Sequence, residues 1–190
     1  MTAIFTRKNL SRMICGFLCL MLIFVLSSCG EEPEPEPVVQ VPYYIGAVLY
    51  SSESESSQEY KDELEREFAR LETETARYTV DFMYSEGDLL EQEHHVSYFI
   101  AQGVDAVFVE PVSSDSTLFV HDLIIDSGGT YGVFVGTQPE DGALDEQYIF
   151  CWPDQSGRAA EVSAAAEKIN EILTYVPEPE PEGEEGTETA

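Results

Sequence analysis

Between residues 43 and 175, strand-length apolar runs alternate with stretches whose apolar residues recur at helical spacing, and this alternation restricts the fold more than any other feature of the chain. Tyr43 to Tyr50 (YYIGAVLY) is a continuous apolar run, as expected of a strand buried on both faces. Ser56 and Glu59 have the spacing of a capping box, and Tyr60, Leu64, Phe68 and Leu71 follow along one helical face. A second strand is expected at Tyr78 to Tyr84. Asp88 with Glu91 then predicts a helix whose inner face holds Leu89, Val96 and Ile100, stopped by Gly103. Val104 to Val109 is the third strand, and Ser114 to Asp126 is a helix containing Phe119, Leu123 and Ile124, broken at Gly128-Gly129. Tyr131 to Val135 and Tyr148 to Trp152 read as the fourth and fifth strands. The last helix runs from about Ser156 to Tyr175, with Val162, Ala166, Ile169 and Leu173 on one face.

Strands joined through helices imply parallel pairing with right-handed crossovers. The expected fold class is therefore α/β, a doubly wound parallel sheet of flavodoxin-like topology. Ligands of such sheets lie beyond the carboxyl ends of the strands, where strand order reverses. Any site is thus expected on loops 51–56, 110–113, 136–140 and 153–156.

The flanks are of another kind. Arg7, Lys8 and Arg12 precede Met13 to Leu26, a stretch free of charge and proline, which is the pattern of a signal peptide. Its fourteen residues reach about 21 Å as a helix, short of the roughly 30 Å of a bilayer core. Leu26-Ser27-Ser28-Cys29-Gly30 resembles the lipobox of bacterial lipoproteins, which implies cleavage before Cys29, lipidation of that cysteine and tethering to the outer face of a membrane. The expected organisation is a signal peptide (1–28), a lipidated cysteine with a Glu/Pro-rich linker (29–42), one α/β lobe (43–175) and an acidic tail (176–190). Alternating Glu and Pro in the linker and tail disfavours helix and repels along its own length.

Charge excludes some partners. Removing residues 1 to 28 deletes three bases and no acid, taking the formal charge from −28 to −31. A chain so acidic, with no Lys/Arg cluster, is not expected to bind nucleic acid. Cys15 and Cys19 leave with the signal peptide, so no disulfide framework is expected.

Three segments resemble the type I periplasmic binding proteins, in particular their sugar-binding group: Ile45 to Tyr50, then Phe99 to Val107 running into Glu110-Pro111-Val112, and Asp154-Gln155-Ser156-Gly157. The resemblance spans nearly all of residues 43–175 and corresponds to the N-terminal lobe of a two-lobed binder. It implies a non-enzymatic, extracytoplasmic domain that binds a small polar, sugar-like solute for ABC-type uptake or sensing, with an ABC permease and a second lobe or homodimer as partners. At the site it implies Glu110 as acceptor for a hydroxyl, Trp152 as apolar face, and polar contacts from Ser54, Thr137, Gln138 and Asp154. Two departures stand out. The first loop, Ser51 to Ser56, lacks the aromatic ring that the sugar binders stack on their ligand, and Gly136-Thr137 stands where they carry an acid or amide followed by a base. These departures support an alternative, a non-binding interaction or scaffold lobe or a remnant of a two-lobed protein.

Other constellations point to ordinary structure. Glu91 with His95, and His121 with Asp122, supply fewer ligands than a metal site requires and are expected to be solvated helix surface. Cys151 is expected to pack as a small hydrophobe. No phosphate loop, dinucleotide fingerprint, zinc spacing or nucleophile with base and orienting group occurs, so neither a cofactor nor an enzyme is expected.

Overall fold

In the computed structural model the described residues are 39–145, 147–151 and 157–176. Five strands, β1 (Val41–Leu49), β2 (Ala76–Tyr84), β3 (Ala106–Val109), β4 (Tyr131–Phe134) and β5 (Ile149–Cys151), form one sheet in the order β2-β1-β3-β4-β5. Every neighbouring pair is parallel. The helices are α1 (Glu55–Leu71), α2 (Leu89–Gln102), α3 (Ser116–Ser127) and α4 (Arg158–Leu173). The sheet is the doubly wound, flavodoxin-like one that the alternation predicts.

The period of two along β1 divides the core. Ile45, Ala47 and Leu49 face α1 and α4 together with Leu64, Phe68, Val162 and Ile169. Val48 faces α2 and α3 with Val96, Phe99, Val120 and Ile124. Burial on both faces explains why β1 lacks polar alternation. β1 begins two residues before the apolar run, so Val41 and Pro42 belong to the sheet and not to the linker. Val41 donates to the Thr75 carbonyl, 2.8 Å away, on the β2 side. Pro42 is tolerated because β3 pairs with β1 only from Ile45 onward, so no partner awaits the missing N–H.

Several boundaries differ for local reasons. The cap of α1 is Ser54, which accepts from the Ser57 N–H, and not Ser56. The start of α2 is as expected: Asp88 accepts from Leu90 and Glu91 N–H at 2.8 and 3.2 Å, and Gly103 ends the helix at φ 74°. Leu89, expected on the inner face, is 38% exposed in the first turn, while Gln92 is buried in its place. β3 starts at Ala106 because Val104 N–H still bonds to the Phe99 carbonyl of the helix end. α3 starts two residues late because Ser113 and Ser114 carbonyls accept the N–H groups of Ser116 and Thr117 in turns. Phe119 lies 56% exposed on its outer face.

Candidate functional site

The chain leaves β1 through α1 to reach β2, then returns past β1 through α2 to β3. The reversal opens a crevice between the carboxyl ends of β1 and β3, bounded by the loops after Leu49 and after Val109.

Glu110 sits at the bottom of this crevice, only 8% exposed. Its Oε2 accepts from Tyr50 N–H at 2.9 Å and from the Ser57 hydroxyl at 2.6 Å, and its Oε1 from the Ser56 hydroxyl at 3.3 Å. The carboxylate therefore binds the β1–α1 loop and the first turn of α1. Bonds of this charge-assisted kind are the strong ones. Its carbonyl is also engaged, by Gln92 Nε2 at 2.9 Å, while Gln92 Oε1 accepts from Val112 N–H at 3.3 Å and the Ser116 hydroxyl at 3.0 Å. One fully buried amide thus ties together the ends of β3, α2 and α3.

A second carboxylate fixes the rim. Glu86, at φ 50°, accepts from the hydroxyls of Ser51 and Ser52, both at 2.6 Å, and from Ser52 N–H at 3.0 Å. The hydroxyls of Ser51 and Ser52 and then the Ser52 N–H hold its carboxyl below the usual range. At the end of β4, Gly136 (φ +77°) donates its N–H to Glu161 Oε1 at 3.0 Å, and the Tyr60 hydroxyl donates to Glu161 Oε2 at 2.8 Å. Burial, then the Glu161 hydrogen bond and charge, raise the Tyr60 phenol above its ordinary value. A Cβ on Gly136 would stand 3.1 Å from the Tyr60 oxygen, so glycine is needed here both for its conformation and for the close approach.

The expected site residues are thereby divided. Ser54 and Glu110 lie in the crevice but are spent on a helix cap and a loop brace. Thr137 is half-buried and Gln138 exposed beyond β4, and their side chains make no hydrogen bond to another described residue. Cys29, Trp152 and Asp154 fall outside the described residues. Sequence reasoning missed Gln92, Glu86 and Glu161. Gln92 was findable, since it stands four before Val96 on the inner helical face; nothing in the local pattern marks Glu86.

Of the remaining constellations, Glu91 and Asp122 are solvated as expected, whereas His95 and His121 are half-buried and His95 Nδ1 is buried without a hydrogen-bond partner among the described residues. His95 stands 3.7 Å from Glu91, and His121 Nδ1 is 3.0 Å from Asp122. Among the described residues no group of three or more His, Cys, Asp or Glu is placed to hold a metal. Cys151 is half-buried against the α2–α3 side of the core. No helix among the described residues is long and apolar enough to cross a membrane.

No family model matches the chain, and no curated protein matches it. Three solved structures show what it is similar to. One is an ABC transporter solute binding protein from Bacillus halodurans C-125 with bound myo-inositol, 22% identical, TM-score 0.46, aligned over 57% of this chain and 34% of that one. Another is an ABC transporter solute binding protein from Mycobacterium smegmatis with bound glycerol, 15% identical, TM-score 0.48, over 70% and 51%. A third is an ABC transporter periplasmic solute binding protein from Actinobacillus succinogenes 130z with bound D-allose, 16% identical, TM-score 0.45, over 53% and 34%. All three are solute-binding proteins. The chain spans from about a third to about half of their length.

Proposed function

We propose that the chain is a lipid-tethered, extracytoplasmic binding lobe that offers half of a site to a small, neutral, hydroxyl-rich solute for ABC-type uptake or sensing. The observation that carries this reading is the division of labour at the strand ends. The buried carboxylates Glu110 and Glu161 hold the loops rigid, and the uncommitted polar groups beyond β4 are a hydroxyl and an amide, Thr137 and Gln138. Such groups donate and accept in the same reach and suit a sugar-like solute better than an ion. Trp152 and Asp154 would complete this half, with Cys29 supplying the anchor and a second lobe, a second copy or a permease the opposing wall. Sugar as the ligand class rests on the sequence resemblance.

The test is calorimetry of the chain against pentoses and hexoses. One lobe covers roughly half of a ligand, where closed sites bury about 70–90%, so binding no tighter than about millimolar is expected without a partner. Gln138→Ala and Trp152→Ala should each weaken it. Micromolar binding by a demonstrated monomer would refute the half-site, and binding indifferent to both substitutions would refute the location. The specific observation favouring the scaffold reading is that Glu110 is already fully engaged by its own chain; no sugar binding at any concentration, with a partner captured through the strand-end loops, would establish it.

A further inference from the structure

A second cavity lies at the opposite end of the sheet from the crevice. It has a volume of about 260 Å³ and is lined by Tyr44 of β1, Asp81 of β2, Tyr98, Phe99 and Gln102 of α2, and Val104 ahead of β3. Its existence follows from the topology. α2 crosses over β1 and β3, leaving the α2-side residues of the edge strand β2 uncovered: Arg77, Thr79 and Asp81 are all exposed. Asp81 pairs in register with Gly46, whose missing side chain is what admits the Phe99 ring, since a Cβ there would meet three ring atoms at 2.6–2.9 Å. Phe99 and Val104, both nearly fully buried, make an apolar floor. Tyr44 and Tyr98 are 50% and 44% exposed, and Tyr98 is held edge-on against Phe99 with ring centroids 5.9 Å apart.

The polar groups around this floor are unspent. The Asp81 carboxylate, the Gln102 amide and both phenol hydroxyls make no hydrogen bond or ion pair with another described residue. A second acid, Asp105, is fixed beside the cavity by accepting from Tyr44 N–H at 2.7 Å. Arg77 is the nearest base on that strand: four positions before Asp81, it emerges on the same face of β2 at about 13 Å along the strand, too far for an ion pair.

We propose that this cavity binds a small organic ammonium ion, its charge set against Asp81 and its carbon substituents against the Tyr44 and Tyr98 rings. A carboxylate beside aromatic rings over an apolar floor compensates such an ion's charge and covers its carbon at once. A neutral polyol would leave the carboxylate uncompensated, and an anion would be repelled by Asp81, by Asp105 and by a chain whose formal charge is −28. The volume limits the ligand to a few carbons, since it lies just under the usual range for ligand pockets.

Tetramethylammonium chloride titrated into the full chain, followed by nuclear magnetic resonance, tests this. Saturable shifts are expected at Tyr44, Tyr98 and Gln102, absent with tert-butanol, a neutral probe of similar shape, and absent with sodium chloride at equal ionic strength. Asp81→Asn and Tyr98→Ala should each raise the dissociation constant at least about fivefold, Asp81→Glu should retain binding, and Arg77→Ala, a charge change about 13 Å away, should alter it less than about twofold. All three positions are exposed, and circular dichroism melts check that the variants remain folded. Equal binding of tert-butanol, indifference to Asp81→Asn, a change of more than about twofold on Arg77→Ala, or shifts confined to Thr137 and Gln138 would each overturn the assignment.

Discussion

Replacing Glu110 with alanine separates a brace from a ligand contact. Besides the half-buried Ser56 hydroxyl, the substitution strands two donors that make no other donated hydrogen bond: Tyr50 N–H, which loses a 2.9 Å bond, and the Ser57 hydroxyl, which is fully buried and loses one of 2.6 Å. A buried donor left unsatisfied costs about 1–3 kcal/mol, so the pair should cost roughly 3 kcal/mol after partial relaxation of the Ser51 to Ser54 turn toward water. That is a large share of the roughly 5–15 kcal/mol that holds an ordinary domain together. For a domain of this size it lowers Tm by about 10 °C. Glu110→Gln keeps the shape but puts an NH2 group against one set of donors, and should recover less than half of the loss. The assay is thermal and urea unfolding of wild type and both variants, with sugar calorimetry alongside. A Tm change under about 2 °C combined with loss of sugar binding would refute the brace and restore Glu110 as a ligand contact.

Gly46→Ala should destabilise by roughly 2–3 kcal/mol in urea unfolding, because the Phe99 ring meeting the new Cβ is wedged into the core and has no free end to swing away. Glu86 has its carboxyl depressed by the Ser51 and Ser52 hydroxyls, so the stability it contributes is present above the ordinary carboxylate pKa and is lost as pH falls through the lowered folded value. Melts from pH 6 down to pH 3 should therefore fall more steeply for wild type than for Glu86→Gln, and parallel curves would show that the Ser51–Ser52 rim is not held by that charge. Cys29→Ser should accumulate a precursor with residues 1–28 attached, because a hydroxyl is a poorer nucleophile than a thiolate for lipid transfer; intact-mass measurement of membrane fractions showing normal processing would contradict the lipoprotein assignment.

The elements were legible because their signals are local. Apolar period, Asp88 as cap and Gly103 as stop act within one turn of the chain, and each appears where the pattern puts it. The misses share a cause. Ser54 rather than Ser56 caps α1 because Ser56 and Ser57 are drawn to Glu110, a partner more than fifty positions away. Gln92 replaces Leu89 on the inner face because the Glu110 carbonyl, the Val112 N–H and the Ser116 hydroxyl converge there, and an amide that both donates and accepts serves all three. The spacing to Val96 marks Gln92 as inward-facing, but not the groups it has to serve.

Internal hydrogen bonding also decides where a carboxylate can meet a ligand. A carboxylate at the end of a buried parallel strand has two outcomes: it faces outward and meets a ligand, or it turns inward and must be matched by donors from its own fold. Glu110 has taken the second course, and Glu161, from the first turn of α4, is matched in the same way, the two consuming the N–H groups of Tyr50 and Gly136 that would otherwise stand open at the strand ends. A fold that closes its own acids and amides in this way leaves one hydroxyl and one amide, Thr137 and Gln138, uncommitted beyond β4. Asp81, on the uncovered face of β2, is by contrast a carboxylate with no hydrogen bond or ion pair to another described residue. The proposed neutral ligand at the carboxyl ends and the proposed cation at the other end therefore draw on separate residues. Glu110→Ala should leave tetramethylammonium binding unchanged, and Asp81→Asn should leave Tm within about 1 °C, since an exposed surface change of this kind is usually worth under 0.5 kcal/mol.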